Sequence, residues 1–239
     1  YVHAGEADLA VAPFTTDGDL AIDPRNLATE PLLEVALAGA GFLPAADSVG
    51  IWKMSVDVGG ISRTVTLDLL VPETLGGSGR RGARIPPHAK HAARKVSGLE
   101  ATLVDRDMHV LAALDHADTR RCELAVAGPA ALIVAKVHKI LDRADDRDRG
   151  RDKDALDIYR LLRAVPTEAL VTRFRRLLRD GLARAAAEKT LAGFRGLFGS
   201  PSALGAQMVA RAVGASEPED THIASLAVLT DDLMRSLGG

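Results

Sequence analysis

Two carboxylates stand two positions apart at the start of the first apolar stretch, where Asp17 and Asp19 precede Leu20-Ala21-Ile22. In a strand, residues i and i+2 face the same side, so these carboxylates would point together. Neighbouring carboxylates repel each other unless a cation lies between them. Hard oxygen ligands suit Mg²⁺, which takes one or two carboxylates together with waters and phosphates. The spacing therefore indicates a divalent-cation site, and the plainer interpretation is an acidic turn.

A third carboxylate interrupts an apolar run of strand type. Asp68 lies within Thr64–Val71, whose β-branched residues favour a strand. A charge in the middle of such a run is costly to bury unless it is paired or binds a metal. The alternative is an aspartate that faces solvent on an edge strand. A hairpin turn at Asp57–Gly60 would place Asp68 on the same small sheet as the first two acids.

Further along the chain, a lysine on an apolar helix is followed by a Lys-Asp motif. Lys136 lies in the helix that begins near Gly128-Pro129, and Asp142-Arg143 follow it. The motif itself is Lys153-Asp154-Ala155-Leu156-Asp157. Taken alone, this pattern is also typical of two solvated helices that are joined by Lys–Asp contacts.

In this order, the motifs resemble the AbiEii-type nucleotidyltransferase toxin family of the DNA polymerase β-like superfamily. The resemblance extends from Tyr1 to about Arg163. It implies that three acids are catalytic and hold two Mg²⁺ ions on a small sheet, namely Asp17, Asp19 and Asp68. It also places Lys136 and Lys153 near the triphosphate and makes Asp157 the acid of the final motif.

The reaction that this resemblance implies is transfer of a nucleoside monophosphate from an NTP to an acceptor hydroxyl, with release of pyrophosphate. The acceptor would be RNA, such as a tRNA 3′ end, or a protein side chain. The protein would then be the toxin of a toxin–antitoxin system, with a cognate antitoxin as partner. Lys136, Lys153 and Arg84 would offset the charge that develops on the leaving group. Thr16 would donate its hydroxyl to a phosphate oxygen or, equally, cap the turn.

The chain departs from the superfamily pattern upstream of its first acids. The superfamily has a Gly-Ser or Gly-Gly pair there. Gly5-Glu6 has a plausible spacing before Asp17, but its glutamate is a poor substitute for serine because the carboxylate would repel phosphate. Since the chain begins at Tyr1 without a Met, we expect a fragment from which the glycines are missing. Part of the phosphate cradle would be missing with them.

Composition limits the classes of partner. With 239 residues and a net charge of −2, the chain is not a generally basic nucleic-acid coat, so an RNA contact would need a local patch. The acid-free segment Arg80–Lys95 would supply one, since it has six Arg and Lys residues and begins within the glycine-rich loop Gly76–Gly82. Charges that only keep a loop soluble are the alternative.

Other features of the composition suggest where the protein works. The abundance of Ala, Arg, Gly and Asp is typical of a bacterial protein. No apolar run approaches the ~20 residues of a membrane span, so we expect a cytoplasmic protein with no membrane partner. The single cysteine, Cys122, is expected to be a buried thiol.

The periodicity predicts an α+β fold in which a sheet is followed by helices. The resemblance implies that residues 1–127 form a nucleotidyltransferase palm-like domain, followed by a helical domain over 128–239. The predicted palm is a small mixed sheet with flanking helices. Predicted strands cover residues 16–22, 49–56, 61–72, 99–104, 110–113 and 122–126. A helix capped by Thr29 is expected first, followed by helices over 129–142, 153–164, 168–180, 183–197, 203–213 and 221–237.

Two other classes of function stay open on the sequence. A non-catalytic nucleotide-binding or regulatory protein on the same scaffold is favoured by the missing glycine pair and by residues 165–239, which carry no recognisable catalytic motif. An antibiotic-modifying enzyme would need an acidic cleft for a cationic drug, whereas the segment after Asp68 is basic.

Overall fold

The computed structural model describes His3 and residues 17–113, 117–142, 152–214 and 219–238. These residues form two compact units, the described part of Pro13–Glu100 and, separately, His3 with the described part of Ala101–Gly239. The first contains a mixed sheet and the second is mainly helical, so the predicted α+β class is confirmed. The domain boundary predicted between residues 127 and 128 stays a prediction, and the compact units divide after Glu100.

The first unit is organised around its longest strand, which pairs with three others. This strand runs parallel to the first strand on one side and antiparallel to the preceding strand on the other. Its last residues pair in parallel with a short strand that lies beyond a long loop. The elements in chain order are β1 Asp17–Ala21, α1 Leu33–Gly39, β2 Leu43–Pro44, β3 Ile51–Val58, β4 Ile61–Pro72 and β5 Arg94–Val96.

Gly50 stands at the point where β4 exchanges its partner β3 for β5. Its φ of +74° is disfavoured for residues with a side chain. A Cβ added there would lie 2.6 Å from the backbone nitrogen of Arg94 and 2.8 Å from the carbonyl oxygen of Leu69. The close approach lets Gly50 bond to both neighbours, because its N–H donates to His91 and its carbonyl accepts from Leu69. A glycine is therefore required here.

The core of the first unit lies on one face of the sheet. Trp52 of β3 is 1% exposed, and its indole N–H donates to the carbonyl of Ala92 over 2.9 Å. The other buried members of this core are Leu69, Val71, Ala83, Ile85, Ala92 and Ala93. Because side chains alternate along a strand, burying Trp52 commits the odd-numbered residues of β3 to the opposite face.

α1 begins later than predicted and without the expected cap. The residue before its first turn is Leu32, and no side chain of its own caps the helix, so the prediction for Thr29 is wrong. The N–H of Leu33 donates instead to Nδ1 of His88, 3.2 Å away. The imidazole also bonds through Nε2 to the carbonyl of Ala28, at 3.1 Å. A buried histidine from a distant loop thus accepts the hydrogen bond from the first N–H of α1, which a neighbouring side chain would normally accept.

The second unit begins with a two-stranded hairpin and continues as helices. Its elements are β6 Arg106–Ala112, β7 Arg121–Ala127, α2 Pro129–Asp142, α3 Asp152–Ala164, α4 Thr167–Arg179, α5 Arg184–Phe198, α6 Leu204–Val213 and α7 Glu219–Leu237. Each helix predicted beyond residue 128 is confirmed to within two residues at either end. None of the helices in the described ranges is long and apolar enough to cross a membrane.

Two local predictions in this region are wrong. Residues 99–104 were expected to form a strand, but Leu99–Leu103 is a 3₁₀ helix. Its Leu-Glu-Ala composition favours helix over strand, and the carboxylate of Glu100 accepts hydrogen bonds from the backbone and hydroxyl of Thr74. Cys122 is exposed, because the β6–β7 hairpin packs with both strands largely open to solvent.

The start of α2 is capped by a residue from outside the helix. Gly128 has no side chain to offer, and the N–H of Ala131 donates to the carboxylate of Asp105 over 3.0 Å. Asp105 is fully buried and also binds Arg173 of α4 at 2.6 Å. Its main-chain carbonyl accepts from Gly128 at 2.7 Å. The carboxylate lies where the helix dipole favours a negative charge.

Candidate functional site

The strand register brings the three predicted acids onto one face of the sheet. Asp19 of β1 is the direct partner of Asp68 on β4, and Asp17 is the partner of Thr66. Register partners on neighbouring strands face the same side, and so do residues two apart in one strand. Asp17, Asp19 and Asp68 therefore share a face. The sequence predicted a common face for Asp17 and Asp19, and for Asp68 it predicted the same sheet.

Besides the acids, this face carries polar residues together with apolar ones such as Ile51 and Leu70. The antiparallel register of β3 and β4 pairs Lys53 with Thr66, Ser55 with Thr64 and Ile51 with Asp68. We call this surface the acid face and define it as Asp17, Asp19, Lys53, Ser55, Thr64, Thr66 and Asp68. The opposite face carries Trp52 and the apolar core. The acid face is therefore the side of the sheet that is available to a polar ligand.

The three acids differ in burial and in partners. Asp17 and Asp19 are exposed, whereas Asp68 is only 6% exposed. The carboxylate of Asp68 accepts a hydrogen bond from Nη2 of Arg94 over 2.5 Å, which makes a partly buried ion pair. Arg94 reaches it because Leu70 and Arg94 are register partners, so the arginine lies on the same face two positions beyond Asp68. The burial of the Asp68 carboxylate is tolerated because the positive charge of Arg94 compensates it.

The fit to a hard divalent cation is partial. The donor set suits one, because three carboxylates on one face are the ligands that Mg²⁺ takes. Within the described ranges, however, no three His, Cys, Asp or Glu side chains are grouped closely enough to hold one ion. One oxygen of Asp68 is bound by Arg94, whose Nε is buried and has no hydrogen-bond partner among the described residues. A metal bound by all three acids would have to share Asp68 with this guanidinium or displace it.

The predicted basic segment Arg80–Lys95 divides into residues that hold the fold and residues that face solvent. Arg94 binds Asp68, and the ammonium of Lys95 donates to the carbonyl oxygens of Gly77 and Gly79. His88 is buried under α1. Four cations of the segment are exposed, namely Arg80, Arg81, Arg84 and Lys90. The side chain of Lys95 therefore holds the backbone of the glycine-rich loop in place, and the four exposed cations stay available for a ligand.

The candidate residues of the helical unit form an ion-pair group between α2 and α3. The ammonium of Lys136 lies 2.8 Å from a carboxylate oxygen of Asp157 and 3.4 Å from one of Asp154. Lys139 binds Asp154 at 2.9 Å, and Arg160 binds Asp157 at 2.9 Å. The structure therefore brings Lys136 and Asp157 together, in Lys–Asp contacts of the kind that the plainer interpretation of the sequence describes.

The charges in this group change the pKa values of its members. Burial alone would lower the pKa of Lys136, but the negative charges and hydrogen bonds of Asp157 and Asp154 outweigh it and raise the pKa. Burial alone would raise the pKa of Asp157, but the charge and hydrogen bonds of Lys136, together with those of Arg160, lower it. Both side chains are therefore charged at neutral pH.

Several site predictions have a different outcome. Lys153 is exposed on α3 and makes no ion pair or hydrogen bond among the described residues. Thr16 lies outside the described residues. The acids belong to the first compact unit and Lys136, Lys153 and Asp157 to the second, so each group is described by itself. A joint role for the two groups stays a prediction.

The sequence analysis missed Lys53 as a member of the site, and it did not predict the contacts of Arg94 with Asp68 or of Asp154 with Lys136. The period-two alternation of Ile51–Val58 could have placed Lys53 and Ser55 opposite Trp52. The Arg94–Asp68 pair had no such signal, because its members are 26 positions apart and the pairing of β5 brings them together.

Comparison of the chain with protein-family models, with curated proteins and with solved structures finds no match.

Proposed function

We propose that this protein is a metal-dependent nucleotidyltransferase that moves a nucleoside monophosphate from an NTP to an acceptor hydroxyl. The observation that carries the proposal is the register of β1 and β4, which makes Asp19 and Asp68 direct neighbours and puts Asp17 on their face. Three carboxylates that share one face of a sheet repel one another. A divalent-cation site gives their placement a purpose.

In this proposal, the carboxylates of the acid face are the metal ligands. Mg²⁺ ions, when bound, would activate the attacking oxygen and stabilise the leaving pyrophosphate. Asp68, the most buried of the three, would be a rigid ligand, while the exposed Asp17 and Asp19 would adjust to the ion and substrate. Arg84, an exposed cation of the same unit, would contact the triphosphate.

The acceptor in this proposal is RNA, such as a tRNA 3′ end. The support is the group of exposed cations in Arg80–Lys95, which suits a phosphate backbone and lies in the same unit as the acids. A protein hydroxyl is the other acceptor class. Action as a toxin with a cognate antitoxin belongs to the same proposal and rests on the resemblance alone.

The test is calorimetric titration of each NTP with and without Mg²⁺. The variants are the wild type, Asp17→Asn/Asp19→Asn, and Asp47→Asn as a control, since Asp47 is an exposed aspartate of the same unit outside the acid face. We expect Mg²⁺-dependent binding that the double variant loses and Asp47→Asn keeps. Equal binding by wild type and double variant, or no binding by the wild type, would refute the proposed site.

A non-catalytic binding protein is the second candidate, and the Arg94–Asp68 pair favours it. At 2.5 Å, the guanidinium already neutralises the acid that would be the most rigid metal ligand. In that case, the protein would bind a nucleotide or another ligand without any metal dependence. Incubation with each NTP, Mg²⁺ and total RNA separates the two, because only the enzyme would release pyrophosphate, and Asp68→Asn would abolish the release while the chain stays folded.

A further inference from the structure

Lys53 is a cation on the acid face that the motifs did not assign. It lies on the row Lys53–Thr66–Asp17, which crosses β3, β4 and β1. The spacing of neighbouring strands puts its Cα roughly 10 Å from that of Asp17. Its side chain is exposed, and among the described residues it makes no ion pair or hydrogen bond. Its ammonium is therefore free to meet a ligand.

The charges around Lys53 favour an anion only when the acids hold a cation. The aspartates of this face, Asp57 among them, outnumber its cations Arg94 and Lys53, so the face as described is negative. One bound divalent ion would offset that excess of negative charge. A polyphosphate on that ion would extend across the strands, and the ammonium of Lys53, on its flexible four-carbon stem, suits a phosphate oxygen as a point charge.

We propose that Lys53 binds a phosphate group of the ligand on the acid face, so that the face itself recognises the phosphate chain of a nucleotide. This inference rests on the proposed function and adds to it a residue from β3, a strand that carries none of the acids. Thr66 lies between Lys53 and Asp17 on the row, and its hydroxyl is placed to donate to the same phosphate chain.

The sheet offers a matched control for this lysine. Arg63 is an exposed cation on β4, the partner of Val56, and lies on the opposite face. Lys53→Gln and Arg63→Gln therefore remove the same charge from the same sheet at similar exposure. Only the first should affect a ligand on the acid face. Thermal unfolding of both variants checks that each stays folded, which we expect because both side chains are exposed.

The experiment is titration of inorganic tripolyphosphate in the presence of Mg²⁺ into wild type, Lys53→Gln, Arg63→Gln and Asp17→Asn/Asp19→Asn. Loss of one charged hydrogen bond to phosphate corresponds to an about tenfold weaker affinity. We expect this loss for Lys53→Gln, with affinity restored by Lys53→Arg, and no change for Arg63→Gln. The aspartate double variant should lose Mg²⁺-dependent binding altogether.

The outcomes separate this inference from the function on which it rests. If the aspartate double variant loses binding while Lys53→Gln and Arg63→Gln both bind like wild type, the role of Lys53 is overturned and the metal site stands. If Lys53→Gln and Arg63→Gln weaken binding equally, the effect is one of general charge and the role of Lys53 is likewise overturned. If the wild type binds no tripolyphosphate with Mg²⁺, the inference and the proposed function both fail.

Discussion

The Arg94–Asp68 ion pair gives the sharpest test of how the acid face is built. In Arg94→Ala, Asp68 keeps its position in β4 and loses the hydrogen bond that neutralises it. Removing one partner of a buried pair costs about 3–5 kcal/mol, because a charge is left without compensation. The side chain of Asp68 is 8% exposed but that of Arg94 is 33% exposed, so water replaces part of the interaction. We therefore expect the lower end, about 3 kcal/mol of unfolding free energy.

The assay is urea unfolding of a double-mutant cycle with Arg94→Ala, Asp68→Asn and both together. The double variant should lose less unfolding free energy than the two single variants lose in sum, and the difference, the coupling energy, should be about 1–3 kcal/mol. Arg25→Ala is the control, since Arg25 binds Asp23 through a side chain that is 56% exposed, and its loss should cost under about 1 kcal/mol. A coupling near zero, or equal costs for Arg94→Ala and Arg25→Ala, would refute this account of how Asp68 is buried.

Magnesium adds a second readout to the same variants. If Asp17, Asp19 and Asp68 form a metal site, Arg94 competes with the ion for Asp68, and Arg94→Ala should bind Mg²⁺ more tightly than wild type. A ligand that binds only the folded state raises unfolding free energy according to its concentration and affinity. Mg²⁺ should then restore part of the stability that Arg94→Ala loses, and it should restore nothing in the double variant. No recovery in Arg94→Ala would favour the non-catalytic candidate.

Three further predictions concern stability. Gly50→Ala should cost about 3 kcal/mol of unfolding free energy, since the residue has a φ of +74° and no room for a Cβ. Asp105→Asn should cost about 3–5 kcal/mol because Asp105 is fully buried against Arg173, and urea unfolding measures both variants. The lowered pKa of Asp157 means that its pair with Lys136 stabilises the fold at neutral pH and loses this contribution as pH falls through the folded-state pKa, below 3.8. The difference in unfolding free energy between wild type and Asp157→Asn should therefore shrink on acidification.

Each of these has a control in the chain. Gly181→Ala should be near neutral, because a Cβ there meets nothing within 4 Å, and equal costs at positions 50 and 181 would contradict the steric argument. Asp107 binds the same Arg173 but is 42% exposed, so Asp107→Asn should cost under about 1 kcal/mol. If Asp107→Asn lost as much unfolding free energy as Asp105→Asn, the loss would follow from breaking any pair with Arg173 and not from the burial of Asp105. If the difference in unfolding free energy between wild type and Asp157→Asn grew on acidification, the folded-state pKa of Asp157 would be raised and not lowered.

Elements with a strong period were predictable from the sequence, and elements fixed by distant contacts were not. The bounds of β4 and α2 agree with prediction because each has a long apolar pattern between clear breaks. β5 has three residues and exists only because β4 extends beyond β3. The start of α1 depends on His88, which lies 55 positions away from Leu33. No local signal encodes either contact.

The candidate site divides in the same way. The spacing of Asp17 and Asp19 predicted that they would share a sheet face, and the hairpin signal predicted that Asp68 would join the same sheet; the register adds that Asp68 lies on their face. The spacing could not show that Asp68 would be held by Arg94, since this depends on which strand fills the place beyond β3. Nor could it show that Lys136 and Asp157 would meet, because helix packing decides that contact.

The closure at Asp105 has a consequence for how this protein can change over evolution. The hairpin between Asp105 and Gly128 is part of the helical unit, and the hydrogen bond from the Gly128 N–H to the Asp105 carbonyl joins its two ends. Asp107, at its base, also binds Arg173, and the cap on the first turn of α2 comes from Asp105 rather than from β7. We therefore expect insertions and deletions in the hairpin beyond Asp107 to leave α2 in place and to carry little structural cost.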